Sequence, residues 1–203
     1  MHVRMLQSER RARSRTALLE SAARGLSRYG YGNLRLEEVA SGAGYTRGAL
    51  YHQFRDKEDL ALAVIDWVDE AWRRDVGEPA ARHPDAVDEL MAMARGHAVF
   101  CRRDVARVVM ALRLEFAGQD HPVARKLDRI SQGGIKRVSR LINAGRRNGS
   151  IPQGPPARTV ARAVMGALEG SVIELAGHAP DDEILAARAV SGVLGIVPAV
   201  SED

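Results

Sequence analysis

From Leu18 to Leu194 apolar residues return every third or fourth position, and they rarely alternate with polar ones over the length of a strand. That period puts them on one face of a helix, whereas a strand needs a period of two. The chain is therefore predicted to be all-α, with glycine and proline marking where its helices stop. Residues 1–12 read as a basic arm ahead of about nine helices. The first spans Ser14 to Tyr29, with Leu18, Leu19, Ala22, Leu26 and Tyr29 on one face and Gly30 and Gly32 beyond its end. A short second helix carries Leu36, Val39, Ala40 and Ala43 and is broken by Gly42 and Gly44. Thr46 then caps a very short third helix, and Asp56 caps a fourth with Asp59 at its third position.

Gly77, Pro79 and Pro84 mark the next break, followed by helices from Ala86 to Arg102, Val105 to Ala117 and Pro122 to Arg147. After a loop rich in glycine and proline, the last two are expected over Ala157 to Gly177 and Asp182 to Ile196. Two domains are expected, residues 1–57 and residues 58–203.

Apolar residues make up 45% of the chain, enough for a packed core and too many for a disordered one. The net charge is +4, but it is unevenly spread. Residues 1–55 hold ten arginines against four acids, which leaves the rest near −2. A basic end on a near-neutral body suits a polyanionic partner. Cys101 is the single cysteine, which fits a reducing compartment, and no run of 18 apolar residues and no signal-peptide pattern occurs. A cytoplasmic protein that makes no use of the membrane is expected.

The tools of an enzyme are missing from the pattern. The six histidines do not pair at metal-ligand spacing, and there is no Gly-x-Ser-x-Gly and no P-loop. Neither a metal nor a cofactor is expected.

The segment from Leu36 to Lys57 carries the function. A helix, a glycine turn, a short helix and a capped fourth helix make a helix-turn-helix. With Leu50 and Phe54 inward, Arg47, Gly48, Tyr51 and His52 must face out. Small residues allow close approach of the backbone, and the polar and aromatic ones suit a DNA groove. The run from Gly44 to Leu60, Gly-Tyr-Thr-Arg-Gly-Ala-Leu-Tyr-His-Gln-Phe-Arg-Asp-Lys-Glu-Asp-Leu, resembles the recognition-helix signature of the TetR family of repressors. The stretch from Ala17 to Gly32 is similar to that family's first helix, and the resemblance covers roughly residues 13–65.

The resemblance implies a dimeric regulator of transcription, in which Thr46 caps the recognition helix and bonds a phosphate. It implies that Arg47 and Gly48 meet base edges, that Tyr51 and His52 contact phosphates or bases, that Gln53 is a further candidate contact, and that Lys57 binds a phosphate. Where the family usually has a small hydroxyl residue before its second helix, this chain has Leu34-Arg35. Arg35 can reach a phosphate but cannot cap. The cluster Arg11, Arg13 and Arg15 either enters an adjacent groove or raises non-specific affinity.

The larger half has no comparable signature. The resemblance implies a ligand pocket there and dimerisation through the last two helices. Helix eight agrees in part: Val160, Val164, Leu168 and Leu175 form one stripe, and Met165, Val172, Ile173 and Ala176 another. Ala163, Gly166, Ala167 and Gly170 would let a partner helix approach, with Val193 from helix nine beside them. His97, Glu115 and Glu169 are the polar groups on inward stripes, and Trp67, Phe100, Met110, Phe116 and Met165 are candidate apolar lining for a pocket. The expected function is a ligand-responsive regulator, a repressor more than an activator, that binds double-stranded operator DNA as a homodimer and is released by a small-molecule effector. An architectural DNA binder without a ligand is the alternative.

Overall fold

A computed structural model of the protein describes residues 2–174 and 179–196, with the side chains of residues 2–7, 172 and 174 left aside. Leu175, Ala176 and Gly177, expected at the end of helix eight, lie outside the described residues, as does the side chain of Val172. Among the described residues the secondary structure is helical throughout, and no strand is present. By contact the chain divides into two compact units, one formed by Met1–Asp69 and Asp104–Asp128, the other by Glu70–Arg103 and Arg129–Asp203.

The first unit opens on α1, His2–Tyr29. Its helix continues through the residues expected to form an arm. Arginine, glutamate, glutamine and alanine are good helix formers, and the first glycine is Gly25. The apolar period stops near Ser14 because the exposed extension has nothing to bury. Then come α2, Leu36–Gly42, and α3, Arg47–Tyr51. The helix α4, Lys57–Trp72, follows, and most of it belongs to this unit. A 3₁₀ turn, Asp104–Arg107, leads into α6, Val108–Glu115, and the unit closes with the start of α7, Pro122–Asn148. Leu18, Leu26, Leu50, Leu60, Ile65, Val108 and Leu112 are fully buried in its core.

The glycine between α2 and α3 does what the turn demands. Gly44 has φ +76°, its N–H donates to Ser41 O at 2.9 Å, and Tyr45 N–H donates to Ala40 O at 2.9 Å. This paired closure ends α2 and satisfies its last carbonyls. Gly42 stays inside the helix, where a β-carbon would lie 2.9 Å from Ser21 Oγ on α1.

In the second unit the chain does not break at Gly77 and Pro79 as expected. It runs on from α4 through a π-turn, Arg73–Gly77, and a last turn, Glu78–Ala80. Pro79 has no N–H to donate, and a π-turn tolerates that loss within a continuing helix. Beyond Pro84, Asp85 caps α5, Ala86–Cys101, by accepting from Val87 N–H at 2.7 Å. The rest of α7, α8 (Ala157–Glu174) and α9 (Asp181–Leu194) complete the unit. The last of these, α9, packs on α5 and α8. Asp182, 4% exposed, takes both a 2.9 Å and a 2.6 Å bond from Arg102, whose guanidinium also reaches Glu183 at 2.8 Å. The guanidinium holds the Asp182 carboxyl below its ordinary range.

Gly44→Ala should destabilise the chain by about 1–2 kcal/mol, the cost of a left-handed residue with a β-carbon, because nothing lies within 4 Å of that carbon. Gly30→Ala, at φ +75°, should cost more, since its β-carbon would sit 2.8 Å from Glu115 Oε2. Urea unfolding of both variants measures the difference; equal losses would contradict the contact.

Candidate nucleic-acid interface

Five residues cannot hold a helix by themselves, so α3 depends on its caps and its buried side chains. Thr46 Oγ1 accepts from Ala49 N–H at 3.2 Å. Leu50 and Phe54 are buried at 0% and 2% exposure. At the start of α4, Asp56 Oδ1 accepts from Asp59 N–H at 2.8 Å, and Asp59 Oδ2 accepts from Arg55 N–H at 3.1 Å. Arg35 precedes α2 with no side-chain cap, as expected, and is exposed with Glu38 at 3.9 Å.

The outward face carries Thr46, Arg47, Gly48, Tyr51 and His52, all exposed. A β-carbon at Gly48 would meet only Thr46 Oγ1, at 3.8 Å. The Arg47 guanidinium lies 2.5 Å from the Glu37 carboxylate on α2 and donates to Tyr51 Oη at 3.2 Å. The Tyr51 bond and the Glu37 charge both raise its pKa above the ordinary guanidinium value. The pair with Glu37 has no signal in the sequence, because it joins two helices across a turn.

Gln53 sits differently from the expectation. Its Nε2 donates to Ser14 Oγ at 3.2 Å, and its carbonyl takes Arg15 Nη1 at 3.3 Å. Arg15 also lies over the Phe54 ring, 4.6 Å from its centroid. The Gln53 side chain is thus turned to α1 and half-buried, and of the basic cluster Arg15 ties α1 to the α3–α4 turn while Arg13 is exposed. Lys57 is half-buried, with Nζ donating to Gly32 O at 3.0 Å and lying 4.7 Å above the Tyr31 ring. On the same unit, Arg24, Arg28 and Arg35 line a cleft of about 290 Å³ between α1 and α2, with Glu38 as its carboxylate.

The eight expected pocket residues divide between the units. Trp67, Met110, Glu115 and Phe116 fall in the first, His97, Phe100, Met165 and Glu169 in the second. Glu115 and Phe116 have partners elsewhere in the first unit. Both carboxylate oxygens of Glu115 accept backbone N–H groups, from Tyr31 at 2.5 Å and Gly32 at 2.7 Å, so the group is spent on the turn after α1. The Phe116 ring meets Tyr31 edge to face at 5.1 Å and stacks on His121 at 4.4 Å. Trp67 and Met110 are half-buried on α4 and α6.

In the second unit Phe100 is buried with Arg103 over its ring at 5.0 Å. Met165 lies close to Gly134, where a β-carbon would come within 3.1 Å of its Cε, and Glu169 is half-buried on α8. His97 Nδ1 accepts from Trp72 Nε1 at 3.0 Å, with Cys101 Sγ 3.7 Å from its Nε2. Burial pushes the imidazole down to about 4, so it is neutral at pH 7. Ala163, Gly166 and Gly170 are exposed on α8 in line with Ile173, which is 63% exposed. Ala167 and Val193 are half-buried, and Ile184 on α9 is 65% exposed.

Residues 18–64 match the model for the bacterial regulatory proteins of the tetR family. The chain is 30% identical over 149 residues to the transcriptional repressor AcnR of Corynebacterium glutamicum, covering 68% of this chain and 71% of that protein. It is 27% identical over 191 residues to the transcriptional repressor BepR of Brucella suis, covering 90% and 91%. Among solved structures, AibR in complex with isovaleryl coenzyme A and operator DNA superposes with a TM-score of 0.72 at 19% identity, over 91% of this chain and 100% of that one.

The neutral, half-buried His97 has a pH signature. The unfolded chain protonates this imidazole near its ordinary 6.5 and the folded chain only near 4, so the unfolded state binds more protons between those values. Stability should fall as pH drops from 6.5 to 4, by on the order of 3 kcal/mol at most. His97→Gln, which keeps an acceptor for Trp72, should flatten that part of the profile in urea melts at pH 6.5 and 4.5. An unchanged profile would refute the burial of a neutral imidazole.

Proposed function

The chain belongs to the tetR family of bacterial regulatory proteins, and on that premise we propose that it is a cytoplasmic repressor that binds operator DNA as a homodimer and leaves it when a small molecule binds. The observation that carries the reading is the outward face of α3, where Arg47, Gly48, Tyr51 and His52 stand exposed on a helix capped by Thr46. A short capped helix with small residues toward the groove brings its backbone close to base edges, and phosphate contacts on either side fix its register. In this reading Arg47 reads bases. Thr46, Tyr51, His52 and Lys57 hold phosphates, and Arg13 and Arg35 add charge at the flanks. Residues 1–57 are the DNA-binding part, and residues 58–203 bind the effector and the second protomer.

Dimerisation is supported by the exposed small and apolar surface of the last two helices. Ala163, Gly166, Gly170 and Ile173 lie along one side of α8, and Ile184 and Leu185 stand out from α9. Glycines there would let a symmetry-related helix come close, and its side chains would cover the isoleucines. Two recognition helices about one DNA turn apart, roughly 34–36 Å, then meet successive grooves of a near-palindromic operator. The effector acts by favouring a geometry in which that match is lost. His97 and Glu169 are the polar groups proposed for its recognition, with Phe100 and Met165 as apolar lining.

Tyr51→Ala and Lys57→Ala should weaken binding to operator and unrelated DNA alike, and Lys57→Ala, which removes a charge, should also flatten the dependence on salt. Arg47→Ala should instead lose discrimination between operator and mutated operator, by about tenfold or more. Gel shifts across a salt series separate these outcomes, and unchanged affinity in all three variants would overturn the assignment.

Gly170→Glu would place an unpaired charge in the proposed interface. Light scattering should report monomers, and operator affinity should fall by about a hundredfold or more as two linked half-sites become one. A variant that remains dimeric would place the interface elsewhere.

A further inference from the structure

Among the described residues, α2 and α9 each stop on a left-handed glycine, and the amide just after it returns to the helix. After α2, Tyr45 N–H returns to Ala40 O at 2.9 Å, and after α9, Ile196 N–H returns to Ser191 O at 3.0 Å. α1 stops on Gly30, φ +75°, whose N–H returns to Leu26 O at 3.0 Å. The amides that follow behave differently. Tyr31 N–H donates to Glu115 Oε2 at 2.5 Å and Gly32 N–H to Glu115 Oε1 at 2.7 Å. Successive amides beside a left-handed residue form a concavity that holds an anion. Here the anion is a side chain 84 residues further along the chain, at the last position of α6. A carboxylate at a helix C-terminus is disfavoured by the helix dipole, so its placement is offset by the two amide bonds.

The other side of the same turn holds Lys57. Its Nζ donates to Gly32 O at 3.0 Å and sits 4.7 Å from the centre of the Tyr31 ring. The ring is itself fixed, edge to face against Phe116 at 5.1 Å and His121 at 5.6 Å. An ammonium has three N–H groups, so one bond to Gly32 O leaves two for a phosphate. A lysine held in this way gives up little side-chain freedom when it binds. We infer that Glu115 is a positioning residue for the phosphate contact of Lys57, acting through the turn at Tyr31 and Gly32. The inference rests on the reading of Lys57 as a phosphate ligand.

The test measures operator affinity at several salt concentrations for the full chain, Lys57→Ala, Glu115→Ala and the double variant. Lys57→Ala should lower the slope of log K against log salt by about 0.9, the value of one phosphate. Glu115→Ala should lower affinity and slope in the same direction, though it touches no DNA. In the double variant the Glu115 change should add nothing to the Lys57 change, because both act through one contact. A folded Glu115→Ala with unchanged slope, or single effects that sum in the double variant, would overturn the inference. If Glu115→Ala does not fold by circular dichroism, Glu115→Gln, which keeps one acceptor oxygen, carries the same comparison. Should Lys57→Ala alone change nothing, the phosphate reading itself fails and takes the inference with it.

Discussion

The burial of Leu50 and Phe54 decides the orientation of the whole outward face of α3. α3 is too short to persist without tertiary contacts, so these two side chains and the caps at Thr46 and Asp56 set its rotation. Once they point inward, Arg47, Gly48, Tyr51 and His52 have no direction left but solvent. The same ring of Phe54 is covered by Arg15, and Gln53 beside it bonds Ser14, so the turn that ends α3 is tied to α1.

The charged groups of the two units do different work. Arg47 and Glu37 are both more than half exposed, and an exposed pair adds little to stability. Its effect is on direction: Glu37 and Tyr51 hold the guanidinium in one place. In the second unit, less exposed ion pairs also join elements. Arg137 bonds Glu89 at 2.8 Å and Gly77 O at 2.7 Å, linking α7, α5 and the π-turn. Arg102 links the end of α5 to the start of α9 through Asp182 and Glu183.

Local features were legible in the sequence and long-range pairs were not. Thr46 and Asp56 cap the helices they precede, Arg35 fails to cap α2, and Gly30 and Gly44 take left-handed turns, all of which follow from residues a few positions apart. The outward face of α3 followed from the same local pattern. The extension of α1 to His2 leaves no mark in the apolar period, because an exposed stretch such as residues 8–13 has none. Gly77 and Pro79 signal a break in the sequence whether or not the helix continues through a π-turn. The partners of Gln53 and Glu37 lie on other helices and those of Glu115 in the turn after α1, and only the assembled core brings them together. A carboxylate on an inward stripe looks alike in sequence whether it meets a ligand or a backbone turn.

Gly30 bears two separate demands, a left-handed backbone and room for the Glu115 carboxylate. They are unequal in what they require of each other. If Glu115 were lost, the helix stop would still need its glycine; if Gly30 were lost, the cradle would go with it. The history of such a pair therefore has one easy direction. A plain helix stop can exist first and later be occupied by a carboxylate from a distant helix, whereas the reverse order would require the occupant to wait for its seat. Across diverging descendants the glycine would outlast the glutamate.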